Sequence, residues 1–260
     1  MSPPEFRFLV CADAGFFHFL PSLEKNIFDH QGAYPVIYDI GMTKDQIAQL
    51  KSEVIKITPP EGYKRTSASG AIKTTHKPRC IKHFLKHSDQ DVLYVDADVV
   101  VLEPIEHDDF LGGDIAVTPR HPKEMLSKKP YLNGTLNAGV IFFRNTPDVI
   151  SFIDVWESEC GIDDKSDQMA LSDVVQDADI KGGIGIGRAH GVDVLKLPAV
   201  RFNDVSCSIG KLWHFKNAGR RSSKKNKRAL AIFVSNQAPW AMTWWLARKR
   251  RTSMWINPAN

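Results

Sequence analysis

Two aspartates, Asp96 and Asp98, interrupt an apolar run that extends from Val92 to Leu102 and stops at Glu103-Pro104. A run this rich in β-branched residues reads as a strand buried on both faces. Two ionised carboxylates are costly to leave unpaired in such a place, so they belong at a strand end, facing a cation. In an extended chain, side chains i and i+2 share one side. Two oxygen donors on one side suit a hard or borderline divalent ion such as Mg²⁺ or Mn²⁺. By itself Asp-x-Asp is also an ordinary turn or cap pattern, and its surroundings must decide.

The elements around it follow from the hydrophobic pattern. Phe6–Cys11 reads as a first strand, Ala12-Asp13-Ala14-Gly15 as a turn, and Phe16 to Phe28 as a helix. Tyr34–Ile40 and Val54–Ile57 read as strands. Between them Thr43 to Lys51 forms a short helix, with Thr43 as N-cap and Gln46 at the capping-box position. Pro78 to His87 puts Ile81, Phe84 and Leu85 on one helical face just before the Asp-Ala-Asp strand. Strands alternating with helices indicate an α/β fold with a largely parallel sheet, in which ligands sit beyond the carboxyl ends of the strands. Asp13, Asp39, Asp96 and Asp98 all fall at such ends.

Farther on, Asp114–Thr118 and Ala138–Phe143 read as strands separated by the polar loop Pro119–Thr135. Pro147 to Cys160 has Val149, Phe152, Ile153 and Trp156 at helical spacing. Ser166 can cap a further helix that carries Asp167 and Gln168 in its first turn. Gly182-Gly183-Ile-Gly-Ile-Gly187 has no helix pattern after it, so it reads as a flexible loop rather than a dinucleotide fingerprint.

Composition sets the outer limits. A chain of 260 residues, 43% hydrophobic, can bury a large core. The net charge of +4 is unevenly spread: residues 211–260 hold twelve Lys and Arg and no Asp or Glu, a basic tail on an acidic body. The four cysteines, Cys11, Cys80, Cys160 and Cys207, form no CxxC pair, which leaves zinc and thioredoxin-like readings without support and makes reduced cytosolic thiols the default. Met-Ser-Pro-Pro-Glu-Phe-Arg lacks the layout of a secretory signal. No apolar stretch approaches the ~20 residues of a membrane-spanning helix.

Taken together, the motifs resemble nucleotide-diphospho-sugar transferases of the GT-A fold, family 8-like and family 77-like, over roughly the first 215 residues. Their joint order carries the likeness, since each is short. The resemblance implies an α/β, Rossmann-like GT-A fold with a mixed, mostly parallel sheet flanked by helices. It implies a catalytic domain over residues 1–215, with residues 216–260 as a basic, Trp-rich extension that completes the donor site and contacts acceptor or membrane.

Its implications for residues are specific. Val10-Cys-Ala-Asp-Ala-Gly-Phe-Phe17 is similar to the family's nucleoside-binding loop, which puts Ala12 and Asp13 at the base and Phe16 or Phe17 against it. A basic residue ahead of the metal motif helps bind the donor; Arg79, seventeen residues before Asp96, and Lys77 are the candidates. Asp96 and Asp98, with Ala97 between them, match the metal-binding Asp-x-Asp, whose Mn²⁺ or Mg²⁺ bridges the donor phosphates. Asn137-Ala138-Gly139-Val is similar to the strand that contacts the donor sugar, with Gly139 allowing close approach. Asp167-Gln168 resembles the pair facing the sugar's reacting carbon in retaining members. Leu212-Trp-His-Phe resembles the segment that supplies a third ligand, His214, and a neutral imidazole beside two carboxylates suits Mn²⁺.

One stretch departs from the pattern. The family follows this histidine with Gly three residues on and Lys-Pro-Trp from six on, whereas this chain has Asn217 and then Arg220-Arg221-Ser222. Arg220 can take the lysine's place on the diphosphate, with Lys216 as the alternative. The resemblance therefore predicts a glycosyltransferase (hexosyltransferase-like) using a nucleotide-diphosphate sugar, a UDP-sugar before others. Its acceptor would be a glycan, lipid-linked glycan or glycoprotein, and it would act in the cytoplasm or peripherally at a membrane.

Three other readings compete. The basic clusters with Trp240, Trp244 and Trp245 would suit nucleic acid, but no RNA-binding motif accompanies them, and no nucleic-acid partner is expected. Pro239 to Arg251 can form a short helix with an aromatic face and a cationic end, compatible with an anionic membrane surface. A nucleotidyltransferase would share the sheet and the metal, yet it leaves the Asn137 and His214 segments unexplained.

Overall fold

The computed structural model describes residues 5–58, 75–121, 124, 134–160, 162, 165–176, 185–205 and 210–214. The chain opens with β1 (Phe6–Ala12), a turn of 3-10 helix (Phe17–Phe19), α1 (Leu20–Gln31), β2 (Val36–Asp39), α2 (Lys44–Ile47), β3 (Glu53–Lys56), α3 (His76–His87) and β4 (Asp91–Val95). After these come β5 (Val99–Val101), a second 3-10 turn (His107–Phe110), β6 (Ile115–Pro119), β7 (Leu136–Phe143), α4 (Pro147–Glu159) and α5 (Asp167–Val175). The described chain closes with β8 (Gly185–Ala189), β9 (Val192–Lys196), α6 (Ala199–Phe202) and β10 (Leu212–His214).

Eight strands form one sheet in the order β3-β2-β1-β4-β7-β6-β9-β8. The first four are mutually parallel. β7 runs against both β4 and β6, while β9 is parallel to β6 and β8 returns beside it. The expected mixed, mostly parallel GT-A sheet with flanking helices is the architecture observed.

The apolar strands look continuous in sequence because helices cover both faces of the sheet. Alternation then sorts them into two layers. Phe8, Val10, Leu93, Val95, Val140 and Phe142 pack with Leu20, Leu23 and Ile27 of α1. Leu9, Tyr94, Ile141 and Phe143 pack with Ile81 and Phe84 of α3, Phe152 and Trp156 of α4, and Leu171 of α5. The capping residues read from the sequence are in place: Thr43 and Gln46 exchange a full capping box, and Ser166 accepts from the Met169 amide. Among the described residues no helix is long and apolar enough to cross a membrane.

The structure corrects the sequence reading at two places. The run from Asp91 to Leu102 is two strands, because β4 ends at Val95 and a turn, closed by Val99 N–H donating to the Asp96 carbonyl at 3.1 Å, redirects the chain. β5 leaves the main sheet and pairs antiparallel with β10. A continuous strand would have carried both carboxylates into one apolar layer; the turn takes them to the sheet's end.

The second correction is at Gly185 to Gly187, which lie in β8 rather than in a loop. Ladder bonds to β9 need only backbone, and His190 and Gly191, both at positive φ (48° and 87°), make the two-residue hairpin turn between the strands.

The β5–β10 ribbon is what positions the site. Val99 sits opposite His214 and Val101 opposite Leu212. On β5's other edge, the Asn26 side chain of α1 imitates a strand, donating to Val101 O (3.0 Å) and accepting from Val101 N (2.8 Å). β10 is secured by His214 N donating to Asp204 O (2.9 Å) and by a Lys211–Asp109 ion pair at 2.6 Å. Lys211, counted by sequence with the basic tail, is thus a buried part of the domain.

Candidate active site

At the carboxyl end of β4 the turn brings Asp96 and Asp98 to the side of the sheet where β10 delivers His214. The His214 Nε2 lies 3.2 Å from Asp98 Oδ1 and 3.7 Å from Asp96 Oδ2. Among the described residues these three offer one ligand atom each, all within 4.8 Å of one another. Asp98 and His214 are buried, while Asp96 is the more open of the two carboxylates. Two carboxylate oxygens and an imidazole nitrogen form a donor set suited to Mn²⁺, and their convergence fits a divalent ion.

The glycine of the Asn-Ala-Gly strand has a local reason. A Cβ on Gly139 would collide with the His214 ring and lie 2.5 Å from Asp96 Oδ2. Its missing side chain makes room for the ligands themselves. Gly139 O also accepts the Asp96 amide at 2.8 Å, and Gly139 N donates to Asn137 Oδ1 at 2.8 Å.

Beside the cluster lies a second charged group. Lys77, buried at the start of α3, places its ammonium 3.0 Å from Asp96 Oδ1, 2.6 Å from Asp167 Oδ2 and 2.7 Å from the carbonyl oxygen of Ala138. Three acceptors meet the three protons of an ammonium. Tyr94 donates to Asp96 Oδ1 at 3.0 Å and its ring faces the Lys77 ammonium at 4.9 Å. Asp167 is the first residue of α5, where the helix dipole favours an anion. The next residue, Gln168, accepts from the Asn137 side-chain amide through Oε1 at 3.3 Å.

Electrostatics fix the charge states. Burial would lower the Lys77 pKa, but the Asp167 and Asp96 carboxylates outweigh it and raise it, so the lysine stays charged. Burial likewise pushes Asp96 upward, yet the Lys77 ammonium and the hydrogen bond from Tyr94 hold its carboxyl below the usual value. Burial, with the Asp96 charge beside it, drives the Tyr94 phenol well above its ordinary range. The site therefore sets a charged Lys77 ammonium against an ionised Asp96.

A family model described as nucleotide-diphospho-sugar transferase matches residues 61–235, more than half of the chain. The chain belongs to this family. It is a glycosyltransferase. Two solved structures are similar to the transferase. One is a galactosyltransferase, LgtC, in complex with donor and acceptor sugar analogues: 18% identity, TM-score 0.42, 64% of this chain and 69% of that chain covered. The other is an active-site mutant of LgtC: 17% identity, TM-score 0.40, 54% of this chain and 57% of that chain covered. No curated protein matches the transferase.

Of the residues read from the transferase's sequence, Asp96, Ala97, Asp98, Asn137, Ala138, Gly139, Asp167, Gln168, His214 and Lys77 come together at this one place. Arg79 does not join them; its guanidinium faces Glu157 of α4 at 3.4 Å and the Thr58 carbonyl at 3.3 Å. Ala12 ends β1, and Asp13 follows it with Oδ1 accepting the amides of Gly15 (2.8 Å) and Phe16 (3.2 Å). Asp39 closes the turn after β2 in the same way, through Gly41 and Met42. Phe16 and Phe17 are half-buried and pack against the core on the α1 side. Lys216, Arg220 and the rest of the basic extension lie outside the described residues, as does Cys207.

Sequence reasoning missed three supports. Asn203 is wholly buried and meets His214 Nδ1 at 3.0 Å. Tyr94 holds Asp96. Ser172 accepts the amides of Thr135 and Leu136 and donates to Gln168 O, docking the start of β7 onto α5. Each is an ordinary core or helix residue by pattern; only a polar atom set in an apolar period hinted at more.

Proposed function

We propose that the protein is a divalent-metal-dependent glycosyltransferase that moves a sugar from a nucleotide-diphosphate donor, a UDP-sugar before others, to a glycan, lipid-linked glycan or protein acceptor with retention of configuration. The observation that carries this reading is the convergence of Asp96, Asp98 and His214 beside Asn137, Asp167 and Gln168. Asp96, Asp98 and His214 would hold Mn²⁺, or Mg²⁺ in its place. When bound, the ion neutralises negative charge on the departing nucleoside diphosphate.

The chain's own groups do the rest. Asn137, Asp167 and Gln168 face the donor sugar, and the Asn137–Gln168 hydrogen bond orients both amides toward it. Lys77 keeps Asp96 ionised and holds both Asp96 and Asp167 in place, and it reaches the donor only by exchanging one of its three acceptors. Ala12, Asp13 and Phe17 border the nucleoside at the end of β1. Arg220 or Lys216 binds the diphosphate, in a segment that the family match includes. Residues 1–215 act as the catalytic domain, with 216–260 as a basic extension touching acceptor or membrane, and the protein works in the cytoplasm or at a membrane surface.

Thermal unfolding across a panel of nucleotide sugars, with Mn²⁺ or with chelator, tests the reading. A ligand present at a hundred times its Kd stabilises by about 2.7 kcal/mol. One donor class should raise Tm with Mn²⁺ and lose that effect with chelator. Uniform Tm values across the panel would refute the proposal.

A further inference from the structure

Resting on the metal-site reading above, we infer that Asn203 is a positioning residue that sets His214 as a ligand by fixing which ring nitrogen carries the proton, and that Glu124 fixes Asn203 in turn. Asn203 ends α6 with its side chain fully buried among three partners from separate parts of the chain. Its Nδ2 lies 3.4 Å from Pro119 O and 3.3 Å from Glu124 Oε2. Its Oδ1 lies 3.0 Å from His214 Nδ1.

The amide can point only one way. A carbonyl oxygen and a carboxylate oxygen accept and never donate, so the side they occupy must be the NH₂ side. The oxygen therefore faces the imidazole, and Nδ1 must be the donor. Nε2, the nitrogen aimed at Asp98 and Asp96, is then free to ligate. Without this partner the ring's lower-energy choice reverses: Nε2–H donates to Asp98 Oδ1, 3.2 Å away, and Nδ1 holds the lone pair inside the protein, where no ion can reach it.

Glu124 makes the arrangement one-sided. Its Oε2 also accepts the His121 amide at 2.9 Å, and Arg120 donates to Glu124 O at 3.2 Å and to Gly134 O at 3.3 Å. Pro119 ends β6, just past the register shift between Val117 and Thr118 in its pairing with β7. The end of β6, Glu124 and β10 thus all converge on one amide, and removing the partner behind a metal-bound histidine typically weakens metal affinity 10–100-fold.

The experiment uses the full chain with ¹⁵N-labelled histidine. Long-range ¹H–¹⁵N spectra assign the His214 signals by their loss in His214→Gln, and Mn²⁺ affinity is titrated in parallel. In the metal-free wild type, His214 should carry its proton on Nδ1. In Asn203→Leu the proton should move toward Nε2, with the Mn²⁺ Kd raised about 10–100-fold. Asn203→Leu binding Mn²⁺ as the wild type does would overturn the inference. So would a wild-type ring with Nδ1 unprotonated, a result that stands even if the variant does not fold. A wild type that binds no Mn²⁺ while showing Nδ1–H would refute the metal reading and leave the Asn203 contact in place.

Discussion

Loss of Lys77 should be costly: its ammonium is the countercharge for Asp96 and Asp167, and a methionine there would leave both carboxylates facing one another in a buried place. Breaking a buried pair in this way costs about 3–5 kcal/mol, so Lys77→Met should lower the denaturant midpoint accordingly and abolish transfer. A variant of wild-type stability would show that Lys77 is not the countercharge.

His76 next to it gives a pH prediction. Burial, with the Arg79 charge adding to it, lowers its pKa from 6.5 to about 4. Between those values the unfolded chain takes up a proton that the folded chain refuses, so stability falls as pH drops from 6.5 toward 4. Asp96 acts lower still: its depressed pKa contributes stability present above the unfolded value and lost as pH falls through the folded one. In His76→Leu the Tm-against-pH slope over the upper window should flatten; an unchanged slope would assign the acid loss elsewhere. At this scale Asp96 and Asp98 were legible because carboxylates in an apolar run stand out, whereas His214 and Lys77, the latter beside Arg79 as an equal candidate, came only from the resemblance in motif order. Asn203 and Tyr94 did not stand out, since an asparagine after a short helix and a tyrosine in a strand are ordinary there.

The elements that build the fold and the site were not equally legible in the sequence pattern. Helices with side-chain caps, such as α2 behind Thr43 and α5 behind Ser166, were legible because the cap and the apolar period agree. The break between β4 and β5 was not, since both halves of the run are equally apolar and the turn between them is fixed by a partner, β10, more than a hundred residues away. β8 was hidden for the opposite reason: its glycines offer no side-chain pattern, and only its ladder to β9 defines it. Gly139 on β7 joins these elements. Gly139→Ala would press its methyl on the His214 ring and on Asp96, costing about 1–3 kcal/mol by overpacking. Calorimetric titration should show weaker Mn²⁺ binding; retained affinity would mean the ligands can separate freely.

Over the whole molecule charge is divided unevenly, with twelve Lys and Arg and no acidic residue in positions 211–260 and an acidic excess in the rest. Lys211 belongs to the domain, through Asp109, and the remaining cations follow His214. Clustered basic residues with tryptophans favour an anionic surface. The intact chain should float with anionic liposomes and a chain ending at Asn236 should not; equal flotation would remove the membrane role. The fold class was legible at this scale because strand–helix alternation spans the first hundred residues, whereas the order β7-β6-β9-β8 depends on antiparallel returns with no local signature.

In the proposed function, the Asp96–Asp98–His214 cluster holds the ion through which a nucleotide-sugar donor is used. The direct measurement is donor turnover by the wild type and by Asp98→Asn, each with Mn²⁺ and with chelator, alongside their melting curves. Wild-type turnover should collapse with chelator and return with Mn²⁺. Asp98→Asn should lose at least about a hundredfold, roughly 2.7 kcal/mol of transition-state stabilisation, while still melting cooperatively. Wild-type turnover that persists in chelator, or an Asp98→Asn variant as active as the wild type, would contradict it.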